Sequence, residues 1–443
     1  MKKICVLGLG YIGLPTAAMF ATHGSQVLGV DINGRIVEIL NNGDIHIEEV
    51  GLRAVVREAM SSGKLVVREE VEPADAFIIA VPTPIGFDKT ADLNAVVSAT
   101  EAIVPHLREG NLVVLESTSP PRTTTDLIKP ILERSGLKAG KDFSLAYSPE
   151  RVLPGQILKE LVENARIIGG IDAKSAEAGR SLYSAFAKEE ITLTDATTAE
   201  MVKLMENTYR DVNIALANEF ALVAEHLGID VWRAIELANH HPRVRILKPG
   251  PGVGGHCIAV DPWFVVQSAP KLTHLIQAGR AVNDSMPRNV VRLVKNAIAE
   301  VAHPLIACLG LAYKADVDDI RESPAIKVVR QLETEGVEVR AYDPHVRPGA
   351  LPNQVRSLEE AIEGSDGAVI LTGHRSFQSL APEEFARRMR RRLLIDCQNI
   401  LRHPVWHEAG FHVVVLGANG IAGNEASDHA MSQWGSDARL LLE

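Results

Sequence analysis

Apolar and polar positions along this chain follow two rhythms. In the first third, short apolar runs of strand length alternate with helical stretches. KKICVLGLG, SQVLGVD, ADAFIIAVPTP and NLVVLEST read as strands, and GLPTAAMFATHG as the helix after the first of them. This is the βαβ rhythm of a doubly wound parallel sheet. From Thr197 to about Asn239 the rhythm turns helical with few breakers, as in TTAEMVKLMENTYRDVNIALANEFALVAEHLG. Thr197 with Glu200 predicts a capping box at its start, and Gly228 a stop. A continuous pattern of about thirty residues exceeds an ordinary helix, which predicts a domain junction or pairing with a partner subunit. LIQAGRAVNDSMPRNVVRLVKNAIAEVA predicts a further helix. The last third repeats the first in weaker form. PLIACLGLAYKA echoes KICVLGLGYIG, and VEVRAYDP echoes SQVLGVDIN, aspartate included. The predicted fold class is therefore α/β: two Rossmann-like doubly wound parallel-sheet domains joined by a central helical domain with a long helix. The predicted divisions are 1–195, 196–300 and 301–443. The tail from Ala418 has no clear periodicity and is read as partly disordered.

Composition narrows the class. The 443 residues are 46% hydrophobic and 23% charged, an ordinary globular balance. No apolar run reaches the ~18 residues of a membrane span. The start runs straight into a glycine motif without a secretory cleavage pattern, so the chain is read as cytoplasmic. A formal net charge of −10 argues against a nucleic-acid partner and requires local basic residues for any anionic ligand. Of the four cysteines, Cys5, Cys308 and Cys397 lie in apolar strand-like runs and read as buried hydrophobes. Cys257 lies in a glycine-rich loop. The fifteen histidines form no H-E-x-x-H or Cys/His ligand set, so no metal is expected.

Gly8, Gly10 and Gly13 form G-x-G-x-x-G between a strand and a helix, with Asp31 at the end of the next strand. That context predicts a dinucleotide site. Gly8 allows the tight turn, Gly10 lets backbone approach a pyrophosphate, and Gly13 lets the helix sit on the sheet. Tyr11 and Ile12 lie within the same turn. Helix N–H groups and the helix dipole favour the phosphates. Asp31 should accept from the adenosine ribose and repel a 2′-phosphate, which favours NAD over NADP; the nearby Arg35 weakens that preference. Thr83 and Thr118 end two further strands, where ligands of such sheets bind, although plain turn residues fit the pattern too.

Glu150, with Arg151, lies in a loop after an apolar stretch, a place that a surface turn also fills. Glu200, Lys203, Asn207 and Arg210 recur on one helical face. A solvated charged face is one reading; a lysine beside an asparagine acting as base and oxyanion donor is the other. In KPGPGVGGHCIAVDPW, Gly254 and Gly255 let backbone crowd a substrate, Cys257 offers a thiol, and Asp261 lies within reach of Lys203 or a water. His256 is a base or a loop hydrogen-bonding group. Arg243, Arg245, Lys248, Lys314 and Arg321 gather at glycine loops, which suits a diphosphate. A hydride acceptor together with a nucleophilic thiol permits a four-electron oxidation of an alcohol to a carboxylate. A two-electron hydroxyacid dehydrogenase and a non-catalytic NAD-sensing protein are the rival classes; neither gives Cys257 a task.

From GLGYIGLP through ESTSP, SPERVLPGQ, AEMVKLMENTYRDVNIALANE and GPGVGGHCIAVDPW to DDIRESPA, the chain resembles the UDP-glucose/GDP-mannose dehydrogenase family. HPRV, ILKPGPGVGGHCIAVDPWF and ERVLPGQ are most similar to members acting on UDP-N-acetyl-D-mannosamine. UDP-N-acetylglucosamine and UDP-glucose are the alternative substrates. The resemblance implies roles by position. Cys257 is the nucleophile, Lys203 and Asp261 handle the proton and oxyanion, and Asn207 helps hold the oxyanion. Glu150 with Thr118 positions the hydrolytic water. Arg321 contacts the NAD cofactor. Glu150, Arg151, Lys203, Asn207, Arg210, Arg245, Gly254, His256 and Lys314 face the UDP-sugar, and Arg243 reaches a neighbouring subunit of a homodimer. Surface-polysaccharide precursor synthesis is the implied setting. One departure stands out: after ESTSP the resemblance leads to a small, glycine-containing pair, and here it is Pro121-Arg122.

Overall fold

Strand residues that are apolar on both faces demand helices on both sides of a sheet. Such strands build the first sheet: β1 (Lys3–Leu7), β2 (Gln26–Val30), β3 (Leu65–Arg68), β4 (Ala76–Ile79), β5 (Leu112–Leu115), β6 (Ser144–Tyr147), β7 (Arg166–Gly170) and β8 (Ile191–Asp195). The structure, a computed structural model, describes residues 3–47, 49–86, 88–153 and 155–418. The tail beyond Ala418, read above as partly disordered, lies outside the described residues. Strand order is β3-β2-β1-β4-β5-β6-β7-β8, parallel throughout except between β6 and β7. Alternation along β1 and β4 feeds two core layers. Ile4, Val6 and Ile78 pack on one face with Leu14 and Ala17 of the first helix, Gly13–Thr22. Cys5, Leu7, Phe77 and Ile79 pack on the other face. The order reverses at β1, between β2 and β4, and that switch opens a crevice at the strands' carboxyl ends.

The second sheet comprises β9 (Leu305–Leu309), β10 (Glu338–Tyr342), β11 (Gly367–Ile370), β12 (Leu393–Asp396) and β13 (His412–Val415). It is parallel in the order β10-β9-β11-β12-β13.

A helix of 32 residues, Ala196–Leu227, follows the first sheet. Gly228, at φ 71°, ends it as predicted. The capping box is corrected: Asp195 caps, accepting the Thr198 N–H at 2.9 Å and the Thr198 hydroxyl at 2.6 Å. Asp195 ends β8 with a short carboxylate already at the orphan N–H groups, so Glu200 is released for another task. Toward its C-terminal half the helix packs on a second one, His274–Ala297, through a buried polar knot. Arg280, 2% exposed, donates to Asp211 at 2.6 Å, and Asn283 donates to the same carboxylate at 2.8 Å.

Two compact units result. One holds the chain up to Thr208 with Val260–His274; the other holds Tyr209–Ala259 with the chain from Leu275 onward. Among the described residues, no helix is long and apolar enough to cross a membrane.

Candidate active site

The dinucleotide turn follows β1 because its glycines have no alternative. Gly8 sits at φ 89°, and a Cβ there would meet the Ala80 carbonyl at 2.7 Å. A Cβ on Gly13 would fall 1.8 Å from the Gly8 carbonyl oxygen. Around Gly10, by contrast, nothing lies within 4 Å of an added Cβ, which leaves room for a pyrophosphate against bare backbone. Tyr11 and Ile12, half-buried, lead into the helix. Asp31, at the end of β2, accepts the Leu9 N–H at 3.0 Å and the Asn33 N–H at 2.9 Å while half exposed, and Arg35 is exposed on the next helix. This set fits NAD. At the ends of β4 and β5, the Thr83 hydroxyl donates to the Thr118 carbonyl at 2.6 Å, so one tie sets both strand-end loops.

Around Glu150 lies a buried ionic cluster with no distinctive local signature in the sequence. Glu150, 8% exposed, is no surface turn residue. Arg166 opens β7 and donates to Glu150 Oε2 at 3.3 Å and to the Ser148 hydroxyl at 3.0 Å. Its guanidinium lies 4.5 Å from the centre of the Tyr183 ring. Tyr183 donates its hydroxyl to Glu116 Oε1 at 2.6 Å. Burial pushes the Glu116 carboxyl up to about 7, against the pull of Arg166 and with a further push from Glu150. Arg151 turns to the long helix, donating to Glu206 at 2.7 Å. The one available signal was a lone arginine in the apolar run RIIGG, which reads equally well as the edge of a strand.

The charged helical face is solvated only in part. Glu200 is fully buried, Asn207 is 1% exposed and Lys203 is half-buried; Arg210, exposed, belongs to the second unit. Asn207 donates its amide to Asp261 Oδ2 at 2.5 Å, and Asp261, 3% exposed, opens the helix Asp261–Ser268. Glu200 accepts the Arg122 N–H at 2.5 Å, the Thr124 N–H at 2.8 Å and the Thr124 hydroxyl at 2.6 Å. This explains the Pro121-Arg122 departure. Arg122 sits at φ 77°, backbone that favours glycine, and the Glu200 carboxylate holds it there. Its side chain points outward to Asp126 at 2.9 Å.

In the second unit, Gly254 and Gly255 are buried, Cys257 is half-buried and His256 is exposed. A Cβ on Gly254 would meet Tyr313 Cβ at 2.7 Å and the Glu322 carbonyl at 2.8 Å; one on Gly255, at φ 82°, would meet the Tyr313 ring at 2.8 Å. The Gly255 N–H donates to the Arg321 carbonyl at 2.9 Å. Tyr313 is thus the floor of the cysteine turn, a contact across 58 residues that no local pattern signals. Arg321 donates to Asp319 at 2.6 Å, with His256 Nδ1 3.8 Å from the same carboxylate. Lys314, Arg243, Arg245 and Lys248 are exposed. The other cysteines are fully buried; burial pushes the Cys5 and Cys308 thiols up to about 12 and raises the Cys397 thiol well above its ordinary value.

The second sheet's echo of the nucleotide turn is tied by more bonds than the original. Asp343, standing where Asp31 stands in the first sheet, accepts the Leu311 and Ala312 N–H groups at 2.6 and 3.0 Å. Those amides are therefore occupied. His374 bonds Asp343 at 3.0 Å through Nε2 and accepts the Asp316 N–H at 2.9 Å through Nδ1. Asp316, His345 and His374 bring ligand-type atoms together, but both His374 nitrogens are committed to these bonds.

A cofactor turn that fits NAD, a second parallel sheet and a cysteine on a glycine-packed turn define a dinucleotide-dependent dehydrogenase built from two Rossmann-type sheets. The chain belongs to the UDP-glucose/GDP-mannose dehydrogenase family: its NAD binding domain matches residues 2–187, its central domain 197–285 and its UDP binding domain 307–403. The enzyme class is that of the NAD-dependent UDP-sugar dehydrogenases. A UDP-N-acetyl-D-mannosamine dehydrogenase of Methanocaldococcus jannaschii is 51% identical over 422 residues, covering 94% of this chain and 96% of that protein. An NDP-N-acetyl-D-galactosaminuronic acid dehydrogenase of Ralstonia nicotianae is 47% identical, covering 90% and 96%. The solved UDP-D-ManNAc dehydrogenase of Pyrococcus horikoshii superposes with a TM-score of 0.89 at 45% identity, covering 95% of this chain and 100% of that one.

Proposed function

We propose that this protein oxidises the C6 hydroxyl of UDP-N-acetyl-D-mannosamine to a carboxylate, consuming two NAD and one water per sugar. NAD, when bound, accepts hydride from C6 in each of two oxidations. Lys203 and Asp261 take the hydroxyl proton, and the Asn207 amide, held by Asp261, faces the developing oxyanion. Cys257 Sγ adds to the aldehyde carbon and the carbonyl oxygen takes back the proton, giving a thiohemiacetal; the second oxidation removes hydride from C6 and returns the hydroxyl proton to the Lys203–Asp261 pair, giving a thioester. Water then attacks the thioester carbon. Its proton passes to Glu150, the C–S bond breaks, and Cys257 leaves as thiolate.

One observation carries the reading: of four cysteines, three are fully buried and Cys257 alone is half-exposed, on a turn whose glycines are required by Tyr313. The substrate reading is supported by the names of relatives at 48 to 51% identity. The three-part division, 1–195, 196–300 and 301–443, is supported by the matched family spans. Tyr209, Leu216, Phe220, Val223 and Leu227 form an exposed apolar stripe at helical spacing on the long helix, which suits a second copy of this chain, with Arg243 facing the copy's site. The setting is cytoplasmic, and the acid sugar feeds surface-polysaccharide precursors.

The test is NADH released per sugar with UDP-N-acetylmannosamine, UDP-N-acetylglucosamine and UDP-glucose. Two per sugar with the first preferred is expected; one per sugar would sink the four-electron reading. Cys257→Ala should keep its fold and form no acid.

A further inference from the structure

Arg166 has two carboxylates, one tyrosine and one serine around it, and no task in the reaction described so far. It is 6% exposed. A cation this deep is retained only where its neighbours repay its desolvation. Here they do so in a directed way. Burial pulls the guanidinium toward losing its proton, and Glu150, Tyr183 and Glu116 overbalance that pull. One arm, Nη2, points at Glu150 Oε2 at 3.3 Å; the other, Nη1, holds Ser148 Oγ at 3.0 Å and lies 3.8 Å from Glu116. The plane rests on Tyr183, whose hydroxyl is itself pinned by Glu116. Glu150 Oε1 accepts the Arg151 N–H at 2.6 Å. Both oxygens of Glu150 therefore have a donor set by the protein, on a loop that has no helix or strand of its own. Glu116 ends β5, Arg166 starts β7 and Tyr183 ends the helix Ala173–Tyr183, so three rigid elements converge on one loop carboxylate.

We propose that Arg166 is a positioning residue for the hydrolytic half of the reaction: it holds Glu150 in the orientation that receives the proton of the attacking water, and Glu116 with Tyr183 holds Arg166. The inference rests on the role given to Glu150 above. It assigns Arg166 to thioester hydrolysis and to neither oxidation. Loss of Arg166 then slows the step in which water adds to C6, its proton goes to Glu150 and the thiolate of Cys257 departs. The steps that load Cys257 are spared.

The full chain is mixed with NAD and UDP-N-acetyl-D-mannosamine, quenched in acid and weighed by mass spectrometry, with NADH followed in parallel. Glu150→Gln is the reference. Arg166→Met is expected to lower kcat by about 100-fold with KM changed less than about threefold. It should release a burst of NADH and accumulate an acyl adduct on Cys257. Arg166→Lys, which keeps the charge and loses the fork, should show the same adduct with a smaller loss of rate; it decides the matter if Arg166→Met does not fold. If Glu150→Gln accumulates adduct and both Arg166 variants are slow without it, Arg166 is merely structural and the inference fails, while the Glu150 reading stands. If Glu150→Gln also forms no adduct, the Glu150 reading fails and takes the inference with it.

Discussion

The side-chain amide of Asn207 donates to the Asp261 carboxylate over 2.5 Å, joining the long helix to the start of another helix 54 residues on. Both groups are buried, so the bond fixes where the carboxyl group sits against the long helix. Asp261→Asn keeps the shape and removes the charge. It should lower kcat by about 100-fold with little change in KM, in steady-state kinetics. Asn207→Ala removes the donor and leaves the carboxylate in place. Urea unfolding should show a loss of about 1–3 kcal/mol on top of the lost rate.

The cysteine turn makes a sharper prediction. The nearest neighbours of a Cβ on Gly255 all belong to the Tyr313 ring, whereas one on Gly254 also meets the Glu322 carbonyl and Pro324. Each glycine-to-alanine change should cost about 2 kcal/mol or more. Adding Tyr313→Ala should recover about 1 kcal/mol for Gly255→Ala and nothing for Gly254→Ala, as a double-mutant cycle in urea. Equal coupling at both sites would contradict this packing.

Stability should fall as pH rises. Burial raises the Glu116 carboxyl from an ordinary 4.5 to about 7, so the folded protein binds this proton more tightly than the unfolded chain. The associated stability is present below pH 4.5 and is lost as pH climbs through about 7. Glu200 is raised to about 7 by burial too, and titrates in the same window. Urea midpoints measured across that window should therefore decline in the wild type. The decline should be shallower in Glu116→Gln, with the Glu200 contribution remaining.

Arg122 tests the left-handed loop. Its backbone is at φ 77° and its N–H is held by Glu200. Arg122→Gly should leave stability within about 1 kcal/mol, because glycine adopts this conformation without strain. Arg122→Val should lose about 1–2 kcal/mol by thermal or urea unfolding, because a branched side chain resists it.

Local patterns reveal themselves in a sequence when the cause is local. The glycine turn at Gly8, Gly10 and Gly13, the strand ending in Asp31, the long helix with its stop at Gly228 and the exceptional setting of Cys257 were all legible for that reason. Each depends on backbone conformation or periodicity within a few residues. The eight-strand extent of the first sheet was less legible, since β3 is short and β7 carries two glycines behind an arginine. What only the tertiary structure decided was which charges are buried and which partners they meet. Glu200 looked like a cap and instead holds a loop 76 residues away; Glu150 looked like a turn and is clasped by an arginine 16 residues on. Asp343 looked like a copy of Asp31 and shares its bond to the turn amide, but it also takes the Ala312 N–H and His374. Burial and ion pairing depend on which elements the fold packs together across long chain separations, and spacing along one chain does not encode that.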